Sequence, residues 1–178
     1  MPNPADKQTV FQGRVITVNI ENARLPGVGP VPLEIVRHPG GAAVVALNER
    51  HEVCLLRQYR HAAGGYILEL PAGKLEPGEP PLDTAQRELV EEAGVAATHW
   101  RPLGAILSSP GVFTEVIHLY LAQDLQVAAM AHEAHEVIEV QWWPFAKALR
   151  AAHDGRIADA KTLIGLFRAA ALAGEERA

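Results

Sequence analysis

Cysteine is almost missing from this chain: Cys54 is the only one in 178 residues, so no intrachain disulfide can form. It sits in the apolar run Val53-Cys54-Leu55-Leu56, a setting for a buried, inert thiol rather than a nucleophile. Long apolar runs are missing too. None reaches the ~18 residues of a membrane span, and Met1-Pro2-Asn3-Pro4-Ala5-Asp6 has no apolar leader core. A cytoplasmic location and no membrane partner are therefore expected. Positive charge is in deficit: Lys and Arg number 16 against 21 Asp and Glu, a net charge of −5. A protein that grips duplex nucleic acid carries a basic stripe that displaces counterions from the phosphates. None is visible here, so no nucleic-acid partner is expected. An acidic chain acting on anionic phosphates needs metal cations and a few local basic residues instead. Repeats and low-complexity tracts are absent apart from an alanine-rich tail. What is present, 48% apolar residues against 21% charged, suffices for the buried core of one domain.

Strands are expected from Phe11 to Glu21 and from Val31 to His38, separated by the turn formers Pro26-Gly27-Val28-Gly29-Pro30. Ala42 to Leu47 reads as a core strand. After the turn Asn48-Glu49-Arg50-His51, Val53 to Tyr59 reads as its hairpin partner. Tyr66 to Leu70 is another strand, and more follow near Trp100–Ser108, Val116–Asp124 and Glu136–Trp143. The first clear helix runs from Pro81 to Gly94, with proline at its start and glycine past its end. Its apolar stripe is Leu82, Ala85, Leu89 and Ala93. Pro144 opens a second helix to His153, and Asp159 caps a third that buries Leu163, Leu166 and Phe167. Many strands with one central helix and two terminal ones define an α+β architecture rather than an alternating βαβ fold.

The Pro81–Gly94 helix carries Arg87-Glu88-Leu89-Val90-Glu91-Glu92. At ~100° per residue Glu88 and Glu92 lie ~40° apart, with Glu91 on their flank. The acidic face points away from the apolar stripe. Three carboxylates in little more than a turn repel one another, and in the C-terminal half the helix dipole does not favour them. Most acidic helix faces are simply solvated, and Arg87 with Glu91 could be an ordinary surface pair worth only a few tenths of a kcal/mol. A cluster that breaks local rules can instead mark a site, and hard oxygen donors of this kind suit Mg²⁺ or Mn²⁺.

The upstream residues decide between these readings. From Gly73 the chain reads Gly, five residues, Glu79, seven residues, Arg87-Glu88-Leu89, one residue, Glu91-Glu92, one residue, Gly94-Val95. This resembles the Nudix box with no departure at any specified position, a match expected by chance with a probability on the order of 10⁻⁷. The box also makes physical sense. Gly73 suits a tight turn or a close backbone approach, and Gly78 lies in the loop that brings Glu79 to backbone N–H groups or Arg87. Gly94 supplies a left-handed helix terminus. Outside the box, Gln58-Tyr59-Arg60, Glu69-Leu70-Pro71-Ala72-Gly73, Ser109-Pro110-Gly111 with Glu115, Glu136-Val137-Ile138-Glu139-Val140 and the stretch from Gly155 to Leu163 resemble the ADP-ribose pyrophosphatase branch. Pro110 lies 16 residues after Gly94, where that branch carries a proline.

The resemblance implies a Nudix fold, mixed β-sheet layers between helices, over residues 39–178 with the box at 73–95. A small N-terminal antiparallel sheet over 1–38 would form a homodimer. It implies hydrolysis of the pyrophosphate bond of ADP-ribose to AMP and ribose 5-phosphate, or of a related nucleoside diphosphate sugar. A GDP-mannose pyrophosphatase is the alternative within the class, and a silent ADP-ribose-sensing domain the alternative outside it. Two or three Mg²⁺ ions, or Mn²⁺, would be held by the Ala72 carbonyl, Glu88, Glu92 and Glu136, with Glu91 adding charge or a water-mediated contact. Arg60 would hold a phosphate and Glu115 approach a ribose, with Glu69 and Lys74 also on the substrate side. Where that branch carries a proton-accepting glutamate, two residues before Glu136, this chain has Ala134. The role falls to the adjacent Glu133 or to Glu136, with His135, or metal-generated hydroxide alone, as further possibilities. A zinc site at His132 and His135 has spacing in its favour and no motif. Trp142-Trp143 suggests core or dimer packing ahead of an aromatic shelf.

Overall fold

The branched residues near the N-terminus do form strands. In the computed structural model, which describes residues 7–130 and 137–175, β1 (Lys7–Gln12), β2 (Thr17–Leu25) and β3 (Gly29–Arg37) make an antiparallel sheet in the order β1-β2-β3. Its polar interior is bonded throughout: buried Glu21 accepts from Arg37 Nε at 2.8 Å and from Asn19 at 3.3 Å. All six residues of β1 are exposed. The chain divides into two compact units, and this sheet belongs to the first, residues up to Gly40 together with Leu107–Val116. The second segment is tied to β3 by Val36 N–H to the Val112 carbonyl at 2.7 Å and Thr114 N–H to the Val36 carbonyl at 3.0 Å.

The second unit is Gly41–Ile106 and Ile117 onward. One sheet contains β4 (Gly41–Ala46), β7 (Ala72–Lys74), β8 (Val95–Leu107) and β9 (Val116–Val127) in the order β7-β4-β9-β8, with β4 parallel to β9. The other has β5 (Glu52–Arg60) between β10 (Ile138–Pro144) and β6 (Gly65–Glu69), all antiparallel. Side chains alternate along a strand, so β4 and β5 feed two cores. Ala43, Val45, Val53 and Leu55 pack with α2 (Phe145–His153) and α3 (Ala160–Glu175). Ala42, Val44, Ala46, Cys54 and Leu56 pack with Ala85, Leu89 and Ala93 of α1 (Pro81–Ala93). Helix, sheet and helix therefore form three layers, the α+β arrangement expected.

The helix boundaries follow their end signals. Pro81 stands at the first turn of α1, and Gly94, at φ 66°, donates its N–H to the Val90 carbonyl. Asp159 Oδ2 accepts the Thr162 N–H at 3.0 Å and caps α3. Several expectations need correction. β4 and β5 are not a hairpin: they share only the bridge Leu47↔Val53 and enter different sheets. The edges of β4 are taken by β7 and β9 and those of β5 by β6 and β10, which leaves neither strand free to pair further with the other. Phe167 is not buried. It lies about 100° round the helix from buried Leu166 and rests against His153 at 4.9 Å. The strand expected at Trp100 begins at Val95, and the one from Val116 runs on to Val127. Trp142 and Trp143 face opposite cores and pack there. Among the described residues no helix is long and apolar enough to cross a membrane.

Candidate active site

The site begins where β6 passes through Leu70-Pro71 into β7, at the edge of the mixed sheet. The Pro71 carbonyl accepts the Val44 N–H at 2.9 Å, and Ala72, Gly73 and Lys74 pair with Ala43, Ala42 and Gly41. Helix α1 packs against this edge. Glu92 accepts the Ala72 N–H at 2.8 Å, and the Glu88 carboxylate lies directly against the Gly73 backbone. A Cβ at position 73 would stand 1.8 Å from Glu88 Oε1. Of the two reasons for this glycine, close approach is the operative one. The acidic face is not a solvated surface, as its direction away from the apolar stripe suggested: Glu92 is 2% exposed and Glu88 9%. β7 lies over this part of the helix and supplies the burying surface.

Arg87 compensates much of this charge. Its Nε and Nη2 each donate to Glu79 at 3.0 Å, and Nη1 donates to Glu88 at 2.7 Å and to Glu91 at 3.0 Å. Nη2 also reaches the Lys74 carbonyl at 3.3 Å. Arg87 is thus the hub of the box and not a member of a lone surface pair. Its bond to Glu79 raises its pKa above the ordinary arginine value against the opposing effect of burial, and Glu88 and Glu91 add to the rise. Glu79 falls to about 2, chiefly through the Arg87 bond, aided by the Glu76 N–H and the Thr84 hydroxyl. The expected clasp between Glu79 and Arg87 is therefore present, and it braces the loop onto the helix.

Glu88, Glu92 and Glu91 together with the Ala72-Gly73 backbone are hard oxygen donors, the chemistry Mg²⁺ prefers. Among the described residues no three acidic, His or Cys side chains converge into a ready cage. Glu88 and Glu92 beside the Ala72-Gly73 backbone offer oxygens from one side, which fits an ion that also keeps waters. Glu136, Glu133, Ala134, His132 and His135 lie outside the described residues.

Arg60 ends β5 and donates through Nε to Glu69 at 2.7 Å. Burial opposes its charge, but the Glu69 bond and the charges of Glu69, Glu92 and Asp159 raise its pKa overall. Glu69 is fully buried, and its other oxygen accepts from Lys161 Nζ at 2.6 Å. Lys161 also reaches Asp159 at 3.1 Å, while Thr162 donates to Asp159 Oδ2 and accepts the Leu70 N–H. No site role for Lys161 or Thr162 was legible in the sequence. The only signal was their place in the Asp159-Ala160-Lys161-Thr162 stretch. Gln58 shares a strand face with Arg60 and is buried, with no hydrogen bond to its Oε1 among the described residues. The Lys74 side chain is exposed. Glu115 belongs to the first unit, where it lies 3.4 Å from His38 Nδ1. Burial pushes the Cys54 thiol up to about 12, with the charge of Glu92 adding, so it is the inert group expected.

Layered sheets between helices, with a loop–helix that buries two carboxylates against a glycine, define a Nudix hydrolase. Residues 37–164 match the NUDIX domain family model, and the chain belongs to the Nudix family. It is 37% identical over 158 residues to the ADP-ribose pyrophosphatase of Bacillus subtilis (strain 168), covering 88% of this chain and 85% of the relative. It is 36% identical to the GDP-mannose pyrophosphatase of Cronobacter sakazakii (strain ATCC BAA-894), covering 74% and 77%. A crystal structure of an ADP compounds hydrolase superposes with a TM-score of 0.82 at 25% identity, covering 99% and 97%.

Proposed function

We propose that this Nudix hydrolase cleaves the diphosphate of ADP-ribose, with AMP and ribose 5-phosphate as products. The observation that carries the proposal is the buried pair Glu88 and Glu92 held against Ala72-Gly73, with the charge of Glu92 acting on Arg60. Two buried carboxylates close enough for Glu92 to act on the Arg60 guanidinium support a reading in which a cation and a phosphate bind side by side. The match to an ADP-ribose pyrophosphatase over most of both chains supports the choice of substrate.

In this reading Glu88, Glu92 and the Ala72 carbonyl, with Glu136, hold two or three Mg²⁺ or Mn²⁺ ions, and Glu91 adds charge. When bound, such ions neutralise the diphosphate and acidify a water. Arg60 grips a phosphate, Lys74 adds positive charge nearby, and Glu115 is assigned to the ribose. Glu133 or Glu136 takes the water's proton, an assignment resting on sequence alone. The second reading, GDP-mannose as substrate, is favoured by the relative of that name.

A Mg²⁺-dependent hydrolysis screen over ADP-ribose, GDP-mannose and other nucleoside diphosphate derivatives tests this. The expected result is the highest kcat/KM for ADP-ribose, abolished by chelation of the metal. Preference for GDP-mannose moves the assignment to the second reading, and binding of ADP-ribose without turnover makes the chain a sensor.

A further inference from the structure

Glu69 is a buried carboxylate shared by two cations, Arg60 at 2.7 Å and Lys161 at 2.6 Å, one on each oxygen. A buried carboxylate is costly unless its charge is matched and its lone pairs are bonded. Lys161 also reaches Asp159 at 3.1 Å, so the two cations and two carboxylates balance, and what distinguishes the cluster is how the two oxygens of Glu69 are divided. The sharing has a geometric consequence. With Oε2 occupied by Lys161, Arg60 is tethered through Nε to Oε1 only, and neither Nη group has a hydrogen bond among the described residues. The Arg60 side chain is 40% exposed while Glu69 is 1% exposed, so Arg60 is anchored at Nε to a buried carboxylate and still reaches solvent. Lys161 in turn is fixed by Asp159, whose other oxygen caps α3 and holds Thr162, which bonds the Leu70 N–H beside Glu69. The first turn of α3 is thereby locked to the strand that leads into the box.

We propose that Lys161 is a positioning residue for Arg60: by occupying one oxygen of Glu69 it prevents a two-pronged Arg60–Glu69 pair and leaves both Arg60 Nη groups for a substrate phosphate. This rests on the reading that Arg60 binds a phosphate. Arginine and a carboxylate prefer to meet through two parallel bonds. With Lys161 gone, Arg60 turns both prongs onto Glu69 and withdraws from the ligand. Lys161 itself never touches substrate.

The test is a double-mutant cycle on the full-length protein, with ADP-ribose at saturating Mg²⁺. Arg60→Ala is expected to raise KM about tenfold or more with little change in kcat, as for loss of a contact made equally in ground and transition states. Lys161→Met is expected to give the same split in KM and kcat, and Lys161→Arg to restore KM to within about twofold. The decisive result is the combination: in the Arg60→Ala background, Lys161→Met is expected to raise KM no further. An additive rise in the double variant, or no rise from Lys161→Met alone, overturns the positioning role while leaving Arg60 on the phosphate. An unchanged KM for Arg60→Ala overturns the reading beneath it, and the inference with it. Should Lys161→Met fail to fold because Glu69 loses a partner, Lys161→Gln keeps a donor on Glu69 without the charge: its KM is expected to stay within about twofold of wild type, and a rise of about tenfold or more overturns the role given to occupancy of that oxygen.

Discussion

At the scale of single residues the site turns on contact distances shorter than any side chain allows. Gly73 has ordinary extended backbone, so its requirement comes from what lies above it, the Glu88 carboxylate, and not from a turn. Gly73→Ala is therefore expected to displace Glu88 and lower kcat by ~10² or more, since catalytic groups misplaced by about 1 Å lose roughly that much. Glu92→Gln probes the other carboxylate differently. The amide oxygen still accepts the Ala72 N–H, so the melting temperature is expected to stay near wild type, while the lost charge lowers kcat by at least ~10². Both are checked by steady-state kinetics beside thermal unfolding. Wild-type turnover in Gly73→Ala would return this glycine to a local backbone role, and wild-type turnover in Glu92→Gln would remove it from the metal site. These positions were legible in the sequence because the box spacing singles them out. Glu69 was legible only as a member of a motif, and its buried pairing with two cations was not. Its partner Lys161 stands 92 residues away, and no local periodicity connects the two.

Between residue and molecule stands the loop–helix of residues 73–94, whose bracing is electrostatic and so depends on pH. Glu79 has a folded-state pKa of about 2 against an ordinary 4.5. A carboxylate with a depressed folded pKa contributes its full stability above the unfolded value. That contribution declines as pH falls below about 4.5 and is gone once pH passes below about 2. Glu79→Gln is expected to melt lower than wild type at neutral pH, with the difference shrinking steadily over that acid window. Parallel melting curves with a constant gap from neutral pH down to 2 would contradict it. The same element explains how much of the fold could be read in advance. The ends of α1 were legible because Pro81 and Gly94 are local signals that no tertiary context needs to supply. The separation of β4 from β5 was not, because strand pairing is decided by which edges distant segments have already taken. Both strands read as short apolar runs joined by a four-residue turn, and nothing within residues 41–60 reveals that β7 and β9 claim one and β6 and β10 the other.

At the scale of the whole molecule, the exposed N-terminal sheet bears on association. β1 is the outer strand of its sheet, and all six of its residues are exposed in the single chain. Val10 is 60% and Phe11 54% exposed, with Val15 and Val28 also largely open. An outer strand with exposed apolar side chains invites pairing or packing unless it is blunted by charge, proline or cover. Single exposed apolar residues are ordinary, but Val10 and Phe11 are adjacent on an outer strand, while Val15 and Val28 lie in the turns on either side of β2. A homodimer, the expectation from family resemblance, would supply that cover with a second copy of the same sheet. Accordingly, the wild-type chain is expected to sediment as a dimer at micromolar concentration. Val10→Asp with Phe11→Asp is expected to sediment as a monomer while keeping a cooperative thermal transition, because neither residue lies in the cores of the second unit. Analytical ultracentrifugation with differential scanning calorimetry checks both parts. A wild-type monomer would leave the exposed strand without its expected partner, and a double variant that remains dimeric would move the interface away from the N-terminal sheet.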